Sequence, residues 1–180
     1  LTPPAAKPSQ LVMVDEPNLA LLPDGTLIQV GHGDAQSAGR NTLAMSRSTD
    51  HGRSWTPAKK IDGLVQPGCG LGLLVEQGVI YISYDNNGTL ATAGPNAHDA
   101  SRNNLTVSHS TNGGTSWGSR LVDPRFTGLS ALAKVGQSAS NADIEKLGVL
   151  YEAGAKRFDG DGVWFATLPL IRPAAAAGSV

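Results

Sequence analysis

Side chains able to do chemistry are few in this chain, and two octapeptides concentrate them. These are Ser48-Thr49-Asp50-His51-Gly52-Arg53-Ser54-Trp55 and Ser110-Thr111-Asn112-Gly113-Gly114-Thr115-Ser116-Trp117. Both read S-x-[DN]-x-G-x-S-W, and their first serines stand 62 positions apart, 48 to 110. The chemistry of such a set is turn bracing. An Asp or Asn carbonyl oxygen accepts from backbone N–H groups in a tight turn, Gly supplies a positive φ, and Ser bonds locally to the same turn. Trp leaves the turn to bury its ring. Ser48, Asp50, Gly52, Trp55, Ser110, Asn112, Gly114 and Trp117 are therefore structural candidates, not catalytic ones. Metal chemistry has less support. His32 and Asp34 offer two ligands without a third. Asp159-Gly160-Asp161-Gly162 has the composition of a cation loop but no bidentate Glu, and it reads as a turn. No metal or cofactor is expected. Asn87-Gly88-Thr89 and Asn104-Leu105-Thr106 are glycosylation sequons, the first expected on an exposed turn and the second in a buried strand.

The elements that must position these turns are strands. The chain has 180 residues, 40% of them hydrophobic, which is enough for one domain with a sizeable core. Charged residues make up only 16%, while Gly (22) and Pro (11) are abundant, a mixture that suits short strands joined by turns. A net charge of −1 gives no electrostatic case for nucleic acid or an anionic membrane. No apolar run approaches the roughly 20 residues of a membrane helix. The lone Cys69 excludes an internal disulfide. No charged n-region or apolar h-region of a signal peptide is visible from Leu1 onward.

Residues 1–14 begin Pro-rich (LTPPAAKPSQ) and are expected to be linker; 173–180 are expected to be a frayed, Ala-rich tail. Between them, 15–172 read as alternating strands and turns. Residues 19–22 and 27–30 flank Pro23-Asp24-Gly25-Thr26 as a hairpin, and 71–75 and 79–84 flank Glu76-Gln77-Gly78. The spacing predicts further strands over 42–48, 59–64, 105–110, 118–122, 129–135, 146–152 and 163–170, with at most one helical turn at 141–146. A unit of about four strands and roughly 60 residues fits one β-propeller blade, so the chain holds about three. A complete β-sandwich of nine or ten strands is the alternative. Propellers close with about 4–8 blades, so unpaired faces and self-association of the fragment are expected.

The braced turn resembles the Asp-box (BNR repeat) of sialidases, and the resemblance continues outward from it. Asp15-Glu16-Pro17-Asn18 followed by L-A-L-L-P-D-G is similar to the segment bearing the family's catalytic Glu. Pro67-Gly68-Cys69-Gly70 resembles a Gly-Cys turn between blades. Ala100-Ser101-Arg102-Asn103-Asn104-Leu105-Thr106 resembles the R-x-N-L-T strand carrying an arginine, and Gly148-Val149-Leu150-Tyr151-Glu152-Ala153-Gly154 the closing L-Y-E-x-G strand. The resemblance implies an all-β, sialidase-like propeller of the six-bladed family, here its C-terminal half. It implies a glycoside hydrolase of the exo-α-sialidase class, acting on sialylated glycans through a Tyr nucleophile and three carboxylate-binding arginines. Carried across, Glu16 is the implied general base, Arg102 the last arginine, and Glu152 the acid that braces the first. A secreted, vesicular or lysosomal setting is compatible with this. The chain departs from the pattern in three respects. Gly31 or His32 stands where the middle arginine is expected, with Arg40 able to reach in only by a loop rearrangement. Gly128-Leu129-Ser130 replaces the family's G-Y-S, so Leu129 fills the nucleophile's slot, and the blades of the first arginine and the acid/base Asp are not in this sequence. The alternative function is a non-catalytic module that binds glycans or protein partners, and a third is a purely structural propeller.

Overall fold

The computed structural model describes residues 14–33, 42–86, 102–136, 145–155 and 161–173. The expected linker up to residue 13, the tail from 174, Asp34, Arg40, the Asn87 sequon, residues 141–144 and residues 159–160 lie outside the described residues. Within them the chain is all-β, with ten strands and no helix. The first four form one sheet in sequence order: β1 (Val14–Leu21), β2 (Leu27–Gly33), β3 (Thr42–Ser48) and β4 (Lys59–Val65). The other six form a second sheet: β5 (Gly72–Glu76), β6 (Val79–Asp85), β7 (Asn103–Ser110), β8 (Gly118–Val135), β9 (Lys146–Gly154) and β10 (Gly162–Pro169), with order β10-β9-β8-β7-β6-β5. All pairings are antiparallel neighbours in sequence, the meander expected of propeller blades.

The sequence pattern predicts two separate strands at 118–122 and 129–135; the structure runs them together as the 18-residue β8. The first half of β8 pairs with β7, from His109↔Gly118 to Asn103↔Phe126. The second half pairs with β9, from Phe126↔Gly154 to Val135↔Lys146. Phe126 thus belongs to both ladders, and β8 is the last strand of one blade and the first of the next. Pro124, which donates no ladder hydrogen bond, is tolerated because it falls opposite a bulge where Asn104 takes φ 58. The architecture is that of β-propeller blades, about three of them: β1–β4, β5–β8, and the second half of β8 with β9 and β10.

Blades stack face to face, and β6 shows why. All seven of its residues are buried. Ile80, Ile82 and Tyr84 join Ile28, Val30, Leu43 and Ile61 of the first blade in one core. Val79 and Tyr81 point the other way, into a core with Val107, Leu147, Val149 and Tyr151. A strand buried on both faces replaces alternation by a continuous apolar run, V-I-Y-I-S-Y. Each fully buried aliphatic side chain contributes about 1.5–3 kcal/mol, so these two cores fix the blades relative to each other.

The two octapeptides form the same turn, braced by matching hydrogen bonds to the first Ser Oγ and to the Asp or Asn Oδ1. In the first, Gly52 N donates to Ser48 Oγ at 2.9 Å and Ser54 N to Asp50 Oδ1 at 2.8 Å. In the second, Gly114 N donates to Ser110 Oγ at 2.8 Å and Ser116 N to Asn112 Oδ1 at 3.0 Å. The Ser54 hydrogen bonds hold the Asp50 carboxyl far below the usual carboxylate range. The tryptophans are half-buried: Trp117 packs against the first core, and its Nε1 donates to Gly114 O at 3.1 Å. Arg47 of the first blade donates through Nη2 to Gly113 O, so the second turn is also a strut between blades.

Candidate functional site

Both octapeptide turns and both tight hairpins lie at one end of the strands, while Glu16, Arg102 and Glu152 lie at the other. The strand directions alone fix this. Residues 16 and 102–103 stand at the starts of β1 and β7, and His32, Asp85 and Glu152 at the ends of β2, β6 and β9.

A bulge aims Glu16. Register breaks between Asp15 and Asn18, where Pro17 has no N–H to give the ladder, and Glu16 takes φ 46. A non-glycine residue in that region is held against strain of about 1–3 kcal/mol. Asp15 Oδ1 accepts from Glu16 N at 3.1 Å, and Asn18 Nδ2 donates to Leu71 O at 3.0 Å, tying the bulge to the next blade. The Glu16 side chain is half exposed, and its Oε2 lies 3.6 Å from His32 Nε2. Of the two residues expected in the middle arginine's place, the structure thus turns His32 toward Glu16. The imidazole is largely buried, 13% exposed.

The segment Gln66–Gly70 is the hub. Buried Gln66 braces it from within, donating to Cys69 O and accepting from Gly68 N at 2.9 Å. Gly68 O accepts from Arg102 Nη2 at 3.0 Å. Arg102 also accepts through its own carbonyl from Thr127 N at 3.0 Å, which fixes it to β8. Gly70 sits between Glu16 and Leu129: a Cβ there would stand 2.6 Å from Leu129 Cδ2 and 3.5 Å from Glu16 Oε2. A larger residue at this position would have to displace the Leu129 side chain. The hub therefore brings Glu16, His32, Arg102 and Leu129 to one end of the fold.

Glu152 enters from β9, where its Oε2 accepts from Leu129 N at 3.2 Å. A Cβ on Gly128 would fall 2.5 Å from that same oxygen, so the G-L-S turn is shaped around the carboxylate. Its recorded partner is thus a backbone N–H; the resemblance implied an arginine.

Beneath this set lies Asp85, which the sequence did not single out. It is 1% exposed, accepts from Thr127 Oγ1, and its Oδ2 is buried without a hydrogen-bond partner among the described residues. Burial pushes its carboxyl up to about 6, against the hydrogen bond from Thr127 and the nearby charge of Arg102. Burial, reinforced by Asp85, also pushes the Cys69 thiol up to about 12, which makes it an inert core group. The Y-D-N-N run gave no signal beyond a strand end, because a buried acid looks the same in sequence as a turn acid.

All three tyrosine hydroxyls are engaged away from Glu16. Tyr81 OH bonds the backbone of Ile171, Tyr84 OH lies 3.1 Å from Ser108 Oγ, and Tyr151 OH donates to Asp123 Oδ2 at 3.1 Å. Asp123 in turn receives Arg125, whose guanidinium lies 4.2 Å over the Trp164 ring. That cluster braces the third blade's rim. Among the described residues, no group of three potential metal ligands occurs.

No protein-family model and no curated protein matches the sequence. Solved structures do. The chain is similar to a Hadza microbial sialidase, Hz136, at TM-score 0.62 and 22% identity over 87% of this chain and 28% of that one. It is similar to an intramolecular trans-sialidase from Ruminococcus gnavus, in complex with oseltamivir carboxylate, at TM-score 0.57 and 16% identity, covering 86% and 32% of the two chains. A leech intramolecular trans-sialidase, complexed with 2,7-anhydro-Neu5Ac, matches at TM-score 0.57 and 20% identity over 86% and 23%. The chain thus spans a quarter to a third of the length of these structures. The likeness establishes a sialidase-like fold.

Proposed function

We propose that this chain is a glycan-recognition module on a sialidase-like propeller, which holds terminal sialic acid at the Glu16–Arg102 end without forming a tyrosyl-sugar intermediate. The observation that carries this reading is Leu129, whose side chain lies against Gly70 beside the Glu16 carboxylate. A tyrosyl intermediate requires a phenol hydroxyl within hydrogen-bond reach of its base. Leu129 has no hydroxyl to offer near this base, and the chain's three phenols are bonded elsewhere. Arg102 supports recognition, since a guanidinium fork is suited to a sugar carboxylate. Glu152 contributes by holding the backbone of the 128–129 turn, and Asp85 by its charge beneath Arg102.

Exo-α-sialidase turnover, with Glu16 as general base in a longer protein, is the second reading. It is favoured by the strained φ of Glu16, because strain of this kind persists where surrounding structure enforces it at working sites. A fluorogenic sialoside distinguishes the two. The expected result is no release above that of Glu16→Ala, together with sialic acid binding by ligand-observed NMR that Arg102→Ala abolishes. Hydrolysis by the parent chain above the Glu16→Ala background overturns the recognition reading.

A further inference from the structure

We infer that His32 is a second cation for the acidic sugar and makes its capture acid-dependent; this rests on the recognition reading above. The argument begins with position. β2 delivers His32 directly across from Asp15, and the bulge at Glu16 swings that carboxylate over it, 3.6 Å from Nε2. The imidazole is 13% exposed, so the charges that matter to it are those of the protein groups around it. Glu16 and Asp15 on β1 are the carboxylates that face it; Asp85 at the end of β6, the neutral thiol of Cys69 before β5 and the cation Arg102 before β7 form the layer coupled to Glu16 through the hub, and Glu152 on β9 stands behind Leu129. An arginine here would carry its charge at every accessible pH, whereas an imidazole carries it only in acid. In neutral solution Glu16 opposes an incoming carboxylate and Arg102 attracts it. In acid, protonated His32 neutralises Glu16 and adds a donor, so the balance moves toward binding.

The test is calorimetric titration of the whole chain with N-acetylneuraminic acid at pH 5 and pH 8, with neutral N-acetylmannosamine as control. The parent is expected to bind the acidic sugar about tenfold more tightly at pH 5, the value of one charge-assisted hydrogen bond. His32→Gln should bind weakly and equally at both pH values, and His32→Arg tightly at both. Asp85→Asn should keep the acid dependence, which separates His32 from the other group that titrates near this range. Acid dependence that persists in His32→Gln, or vanishes in Asp85→Asn, overturns the assignment and leaves sugar recognition standing. Absence of binding by every variant at either pH overturns both.

Discussion

Asp85 is the residue whose environment makes the sharpest demand on the chain. Its ionisation rises from 3.8 to about 6 on folding, with burial as the main cause. Between those values the folded chain holds a proton that the unfolded chain has lost. The stability this gives is complete below pH 3.8 and is lost as pH rises through about 6. A shift of about two units corresponds to about 3 kcal/mol. The expected outcome is that the parent melts at lower temperature as pH goes from 4 to 7, and that Asp85→Asn, which keeps an acceptor for Thr127, flattens this decline; parallel melting curves against pH refute it. The residues around Asp85 were legible to different degrees. Glu16, Arg102 and Glu152 stand in sequence contexts distinctive enough to be located, and the first two do converge on one hub. His32 was not legible as their partner, because its approach to Glu16 depends on a bulge in the neighbouring strand β1, which the residues around His32 do not report. Nor was Asp85, because burial is a property of the stacked blades and leaves no mark on its own neighbours in the chain.

Among elements, the braced turns were the most legible. Their hydrogen bonds run within eight residues, so sequence alone determines them, and the two copies close alike. Through Oδ1, Asp in one and Asn in the other accept the same two hydrogen bonds. The bond to the second Ser runs from Ser54 Oγ to Asp50 Oδ2 in the first copy and from Asn112 Nδ2 to Ser116 Oγ in the second, so the turn closes with or without the charge. Removing the hydroxyl at the centre should therefore be costly in either copy. Ser110→Ala leaves the Gly114 N–H and the Asn112 N–H without their shared acceptor, and Ser110 is 1% exposed. A loss of about 1–2 kcal/mol is expected by urea denaturation, whereas Asp50→Asn should change stability by less; equal losses would show that charge, not geometry, braces the turn. Strand β8 was the least legible element. Its sequence, G-S-R-L-V-D-P-R-F-T-G-L-S-A-L-A-K-V, contains a proline and two glycines that normally mark a break. The two segments run on as one strand because the partner changes there. The chain turns back near Phe126, pairing with β7 on the way in and with β9 on the way out, which brings Ser130 to Ser83 and Lys134 to Glu76.

At the scale of the whole molecule, three stacked blades leave two outer faces. On the third blade, Val163 and Phe165 of β10 and Leu150 of β9 are 67%, 59% and 48% exposed and share one face. On the first, Leu19 and Leu21 are about as open. Faces of this composition are covered inside the fold by another blade, as β6 demonstrates on both of its sides. The isolated chain is accordingly expected to self-associate, and Val163→Lys with Phe165→Glu should shift its sedimentation toward the monomer. An unchanged distribution would place the contact elsewhere.

The continuity of β8 has a mechanical consequence. The second and third blades hold one strand in common, so neither can peel from the other without tearing a ladder. The first blade is joined to them by its core, by the linkage through Gln66–Gly70 and by side-chain bonds such as Arg47 to Gly113 O and Asn18 to Leu71 O. It shares no ladder with them among the described residues, and this is the seam along which the chain would open first. Glu16 and His32 lie on one bank of that seam, Arg102 and Leu129 on the other. A loosening that costs the fold little would part the two halves of the site, and occupancy of the site would in turn clamp the seam shut.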